Sequence, residues 1–301
     1  MSLLVTGSVG IDTVQTPYGV NKDCIGGSAV YFSLAASFFT DVKFVGAIGD
    51  DCPFDLPELF SGKPVDLKGL EVRPGSKTFR WSGSYEGDMN EARTDAVELN
   101  VLAEQPPTVP ESFRGCEFVF LANTAPALQM KLLDQLENHS FVAADTMNLW
   151  IETANDDLKQ LLQRIDLLVL NDGEAKLLTG QHNLISAAKG ILEMGPKFVI
   201  IKKGEHGSML HDNQGNIFLL PAFPATVVID PTGAGDSFAG GMMGFLSESG
   251  AIDVITLRNA MVYGTVMASF TIGDFSIHGI NTASREMIDE RFDRLRKITQ
   301  F

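Results

Sequence analysis

Six short, nearly uninterrupted apolar runs constrain this chain more than any other feature: Leu3 to Thr6, Phe44 to Ile48, Phe118 to Ala122, Phe141 to Ala144, Leu167 to Leu170 and Phe198 to Ile201. A strand with one wet face alternates polar and apolar side chains, whereas a run apolar throughout is covered on both faces. The runs therefore predict a mainly parallel central sheet under two layers of helices, a three-layer αβα fold of the α/β class. Helical periodicity over Ala29 to Phe39, Ala127 to Leu136, Leu184 to Met194, Asp236 to Leu246, Val254 to Ile272 and Arg285 to Ile298 supplies those layers. With 301 residues, 45% of them hydrophobic, a single domain over 1–301 can bury a large core.

One stretch breaks the rhythm. In Lys77 to Tyr85 the aromatic residues Phe79, Trp81 and Tyr85 alternate with Thr78, Arg80, Ser82 and Ser84, the period of a strand with two unlike faces. Because it interrupts a complete α/β unit, we expect about 13–25 and 74–102 to form a small β-strand lid over a bound substrate. Such a lid can also pair two subunits as a homodimer; plain packing of the aromatic face against the body is the alternative.

The net charge of −15 leaves no basic stripe to offset phosphates, so nucleic acid and anionic membrane are not expected as partners. Cys24, Cys52 and Cys116 are odd in number and form no metal-type pair, which suits a reducing cytoplasm. No apolar run approaches 18 residues, and the opening Met-Ser-Leu-Leu-Val-Thr-Gly lacks the basic segment of a signal peptide. A cytoplasmic enzyme is the expectation.

Ligands of open parallel sheets gather beyond the carboxyl ends of the strands. Three apolar runs end in a hydrogen-bonding residue, Asn123, Asp145 and Asn171, which should line one rim; each is also an ordinary loop former. Asp12, just past the first run, suits a diol, because a carboxylate accepts two hydroxyl hydrogen bonds. Gly26-Gly27-Ser28 offers backbone N–H groups at a helix entry, or simply the entry itself. Gly7-Ser8-Val9-Gly10 lacks dinucleotide-fingerprint spacing, and Gly190 to Pro196 lacks the lysine of a P-loop.

Residues 230 to 241, Asp-Pro-Thr-Gly-Ala-Gly-Asp-Ser-Phe-Ala-Gly-Gly, put a carboxylate in a glycine-rich turn that opens a helix. Gly233, Ala234 and Gly235 let several N–H groups point one way at the positive end of the helix dipole, an anion site that needs no lysine. Asp236 stands there as a candidate base for an alcohol proton. The plainer reading is a tight turn with a capping residue. Gly240, Gly241 and Gly244 cost roughly 1 kcal/mol each relative to Ala, which implies close packing or close approach of a ligand.

The string resembles the signature of the ribokinase-like (PfkB-type) carbohydrate and nucleoside kinases, with Pro231 in its first step. In the family's order, Asp12, Gly26-Gly27, Val45 to Asp51, Asn171 to Glu174 and Lys203 to Gly207 precede it. The resemblance implies Mg2+- and ATP-dependent phosphorylation of a hydroxyl on a sugar, polyol or nucleoside. By matching position Asp236 is the base, Gly233, Ala234 and Gly235 the anion hole, and Asp12, Gly26 and Gly27 substrate contacts. Asn171 and Glu174 would organise Mg2+ and phosphate through water. Lys203, Gly204, Gly207 and Asn259 would border the nucleotide, and Asp230 and Thr232 match positions that help hold a monovalent cation, K+, in some members. The chain departs from the pattern at Tyr31, where many members carry a substrate-contacting Asn. A sugar-phosphate kinase would need Lys22, Lys77 and Arg80 to converge on the acceptor; Arg80 or Arg93 reaching the phosphates is a related expectation. A binding protein without turnover and a dinucleotide oxidoreductase are the remaining alternatives.

Overall fold

The computed structural model describes residues 1–300. The strands are β1 (Leu3–Thr6), β2 (Gly10–Thr16), β3 (Gly19–Gly26), β4 (Val42–Gly49), β5 (Val65–Arg73), β6 (Phe79–Ser84), β7 (Arg93–Glu98), β8 (Phe118–Leu121), β9 (Phe141–Asp145), β10 (Leu167–Asn171), β11 (Phe198–Lys202), β12 (Ser208–Asp212) and β13 (Ile217–Leu220). The helices are α1 (Ser28–Ala36), α2 (Leu56–Leu59), α3 (Pro126–Leu133), α4 (Asn148–Thr153), α5 (Asn155–Leu162), α6 (Asp172–Thr179), α7 (Leu184–Glu193), α8 (Ala234–Ser249), α9 (Val254–Thr271), α10 (His278–Asn281) and α11 (Arg285–Ile298).

The strands form two sheets. The larger runs β13-β12-β11-β10-β9-β8-β1-β4-β5, parallel from β5 to β11, with β12 and β13 added antiparallel at one edge. Alternate residues of each buried strand feed two cores, as expected for runs apolar throughout. Leu3 and Val5 face α1, α8 and α9, whereas Leu4 faces the side covered by α3, α5, α6 and α7. Phe32 of α1 stacks on Phe120 of β8 with ring centroids 4.6 Å apart.

The glycines of α8 serve helix packing. A β-carbon at Gly240 would strike the Phe32 carbonyl of α1, and one at Gly244 would lie 3.0 Å from Ala36 Cα, while Gly241 faces Met267 and the Tyr263 carbonyl of α9. Close backbone approach offsets their propensity cost.

The smaller sheet runs β3-β2-β6-β7 and occupies the region expected to form the lid. β2 and β6 are parallel, with β3 and β7 antiparallel on the flanks. Trp81 and Tyr85 gather with Val14, Met89 and Val228 in a small separate cluster, and Phe79 lies against Gly10. No helix among the described residues is long and apolar enough to cross a membrane.

Candidate active site

Chain order reverses at β1, which has β4 on one side and β8 on the other, so the cleft opens at the carboxyl end of β1. Ser8 and Ser28 turn the chain there: each backbone N–H donates to the other's hydroxyl, at 3.1 and 2.9 Å. Asp12 then lies over Gly26, where any β-carbon would fall inside its carboxylate, and Gly27 holds φ 100° against the Ser8 carbonyl. Gly26 is thus fixed by the space Asp12 needs, and Gly27 by its positive φ and the Ser8–Gly10 backbone against it. Asp12 is buried, and its Oδ1 has no hydrogen-bond partner. Burial, then the charges of Asp230 and Asp236, push its carboxyl up to about 8.

Gly233 enters α8 at φ 75°, and no side chain caps the helix; Ala234 N–H donates to the Pro231 carbonyl at 3.1 Å, and the following first-turn amides have no side-chain acceptor. A β-carbon at Gly233 would sit in the Tyr31 ring, which supports the turn from below. Asp230 is completely buried; its Oδ1 accepts from Thr232 N at 2.9 Å and its Oδ2 from Ser276 N at 3.0 Å. Thr232 Oγ1 donates to Tyr85 Oη at 3.3 Å, tying the small sheet to the turn.

Asp236 is half-buried in the first turn of α8, with its carboxyl raised by burial and held back by Lys202. Asp145 ends β9 with an unpartnered, buried Oδ1; burial and then the Asp236 charge raise its carboxyl well above the usual range. Asn171 and Glu174 form a reciprocal capping box on α6, with Glu174 Oε2 accepting from Asn171 N and Asn171 Oδ1 from Glu174 N, both at 2.7 Å. Glu174 is buried, which raises its carboxyl, and Lys202 again opposes the shift. Lys202 ends β11, paired in register with Asn171, and a β-carbon at Gly235 would lie 2.7 Å from its Nζ. The sequence singled out its neighbour, Lys203, and not Lys202.

Other expected residues have local duties. Asn123 accepts from Trp150 Nε1 at 2.8 Å and donates to Met147 Sδ at 3.1 Å, so its amide anchors α4. Gln129, unremarked in the sequence, joins the strand ends through Leu121 O, Ala122 O and Asp145 O. Lys203 donates its backbone N–H to Gly207 O, and Gly204 and Gly207 both hold positive φ. Asn259 is exposed on α9. Lys22 and Lys77 are exposed, Arg80 pairs with Asp23 and Asp51 at 3.4 and 3.5 Å, and Arg93 pairs with Asp95. No basic cluster gathers these residues on Asp12.

The β6–β7 turn reaches farther than the sequence suggested. Asn90 Oδ1 accepts from Glu205 N at 3.1 Å, its Nδ2 donates to Glu205 Oε1 at 3.4 Å, and the side chain lies against Gly204. One hairpin thus spans the cleft from Thr232 to the 203–207 loop.

Among proteins of known family, residues 25–277 match the pfkB family carbohydrate kinase profile. A cytidine kinase of Thermococcus kodakarensis is 31% identical over 253 residues, 81% of this chain and 87% of that protein. Of solved structures, a Burkholderia thailandensis nucleoside kinase in complex with inosine superposes with a TM-score of 0.77 at 19% identity, covering 97% of this chain and 98% of that one. A ribokinase from Thermotoga maritima gives 0.77 at 20% identity, covering 97% and 99%. These two likenesses show a shared ribokinase fold.

Proposed function

The chain belongs to the pfkB family of carbohydrate kinases, and on that premise we propose that it transfers the γ-phosphoryl group of ATP to a hydroxyl of a nucleoside, sugar or polyol. The observation that carries the reading is the uncapped terminus of α8, which bears Asp236 within the electrostatic reach of the unpartnered Asp12.

An acceptor hydroxyl donates to Asp12 Oδ1 and gives that oxygen the partner the protein withholds. Gly26 and Gly27 shape this seat, while the buried Asp145, also with a free oxygen, faces Asp236 from the rim. Asp236 takes the hydroxyl proton; a carboxylate raised by burial is a stronger base than a free one. The N–H groups of Gly233 and Gly235, with that of Ala234 shared with the Pro231 carbonyl, hold the migrating phosphoryl charge. Lys203, Gly204, Gly207 and Asn259 border the nucleotide.

No three His, Cys, Asp or Glu side chains among the described residues stand close enough to hold a metal ion unaided. That donor set fits Mg2+, which keeps several waters and is carried by phosphate oxygens with one or two carboxylates. Glu174, with Oε2 on the Asn171 amide and Oε1 free, orients such water. A monovalent cation, K+, beside Asp230 and Thr232 would offset a carboxylate that has only two backbone amides. Homodimer pairing through the exposed edge strand β7 follows the same reading, and light scattering tests it.

Likeness to the cytidine kinase puts pyrimidine nucleosides first among acceptors, and the dispersal of Lys22, Lys77 and Arg80 puts sugar phosphates last. The test is ATP consumption against nucleosides, pentoses, polyols and hexose phosphates. Acceptor-dependent turnover supports the reading; none with any acceptor, in K+ and Mg2+, overturns it.

A further inference from the structure

We propose that Lys202 is a catalytic residue, its ammonium contacting the transferring phosphoryl group at the mouth of α8. The proposal rests on the kinase reading above. Its anchor, the end of β11, lies outside the signature. Lys202 is the last residue of β11, opposite Asn171 at the end of β10, so its Cα belongs to the rigid rim of the large sheet. From there Nζ fills the space over Gly235, the second residue of α8. Glycine at 235 thus makes room for the ammonium as well as for the turn.

The ammonium is unclaimed. Among the described residues Lys202 Nζ makes neither an ion pair within 4.0 Å nor a side-chain hydrogen bond, although Asp145, Asp236 and Glu174 surround it at longer range. Lysine in such a setting normally closes on a carboxylate; here its three donors are left for something that arrives. A nucleotide phosphate entering this cleft meets Asp12, Asp145, Glu174, Asp230 and Asp236, and Lys202 is the cation that acts on three of them. A strongly hydrated point charge on a flexible stem suits phosphate oxygens whose position shifts during transfer.

The step balances without a proton from Lys202. The bond from the γ-phosphorus to its bridging oxygen breaks and the electron pair leaves with ADP. The bond from that phosphorus to the acceptor oxygen forms, and the hydroxyl proton goes to Asp236. Lys202 donates hydrogen bonds to the oxygens of the moving group, preorganised beside the α8 amides.

The test compares Lys202→Met, Lys202→Arg and Asp236→Asn. Lys202→Met should lower kcat by about 10² to 10³, as loss of one such donor does, and should weaken AMP-PNP more than ADP in calorimetric titrations with Mg2+. Lys202→Arg should recover part of both. A merely structural cation would leave the AMP-PNP to ADP affinity ratio unchanged. On the unmodified protein, AMP-PNP should protect Lys202 from acylation by a water-soluble anhydride, read by mass spectrometry, more than ADP does; this arm needs no variant to fold. Equal acylation with either nucleotide, or Lys202→Met with wild-type kcat and affinity ratio, overturns the proposal. If Asp236→Asn is inactive while Lys202→Met is not, the Lys202 role falls alone; if Asp236→Asn turns over normally, the kinase site itself has been misplaced.

Discussion

In the large sheet, β8 and β9 are buried at every residue and have helices on both sides; in the small sheet, β7 is exposed at all six positions and β3 is covered only near Gly26. The contrast divides the candidate site. Asp236, Asp145, Glu174 and Lys202 hang on strand ends and helix termini of the body, where moving one group means moving packed core. Trp81, Tyr85 and Asn90 ride on a hairpin held by a small apolar cluster and a few hydrogen bonds, and elements with so little buried contact are the ones that open locally. Asp12 stands at the join, one strand beyond β1.

If the body does the chemistry, the largest effect belongs to Asp236. Asp236→Asn should cut turnover by about 10² to 10⁴ with nucleotide affinity within a few-fold, because the amide keeps the shape of the turn but accepts no proton. Steady-state kinetics and calorimetry on the same preparation check both halves; near-normal turnover breaks the comparison at its root.

At the join the effect should split by substrate. Asp12→Ala should raise the acceptor KM by the loss of hydrogen bonds worth about 0.5–1.5 kcal/mol each, with little change in the ATP KM. Asp12→Asn adds a stability readout. The folded carboxyl is raised from 3.8 to about 8, so the folded state binds the proton more tightly than the unfolded chain and wild-type stability falls as pH rises between those values. Asn removes that titration. Thermal melts should show the variant gaining on wild type from pH 4 to 8 and no further above it; parallel curves would mean that Asp12 is charged and satisfied.

The hairpin should give smaller changes. Trp81→Ala should lower kcat/KM or raise futile ATP hydrolysis without unfolding the body, since it thins the cluster that seats the small sheet. Acceptor binding should shift Trp81 emission in a Trp150→Phe background, which itself gives up the bond to Asn123, worth about 1 kcal/mol. No shift at saturating acceptor, with unchanged kinetics, makes the small sheet a fixed wall. Asn90→Ala is the mildest: losing two bonds of about 0.5–1.5 kcal/mol each should raise the ATP KM and leave the acceptor KM alone. An effect on the acceptor instead would erase the division.

The same division governs what the sequence could tell. Strands covered on both faces advertise themselves, so β1, β4 and β8 to β11 were legible within a residue or two. β5 mixes Asp66, Lys68, Glu71 and Arg73 into a half-buried edge and β12 carries His211 and Asp212, so neither has the continuous apolarity that gave the others away, whereas β13, Ile-Phe-Leu-Leu, is apolar throughout on a largely exposed edge and was passed over. Among the candidate-site residues, Asp236 and Gly233 were legible because a glycine-rich helix entry is local. Lys202 was not, since a lysine closing an apolar run looks like any strand end until register places it opposite Asn171. Nor did composition suggest that Asn123 is spent on Trp150, 27 residues away, or Asn90 on Glu205, 115 away.

Tyr31 lies flat beneath Gly233 while its phenol faces Asp12 and Asp230. For anyone wishing to retarget the enzyme, this means that the position where many members of the family carry a substrate-contacting Asn also props up the turn proposed to hold the anion. A smaller side chain there would leave the turn hanging over a hole and a bulkier one would lift it, so libraries built at residue 31 should return mostly dead clones. Diversity is better spent on Phe79, which lies against Gly10 outside the cluster through which Tyr85 is tied to Thr232.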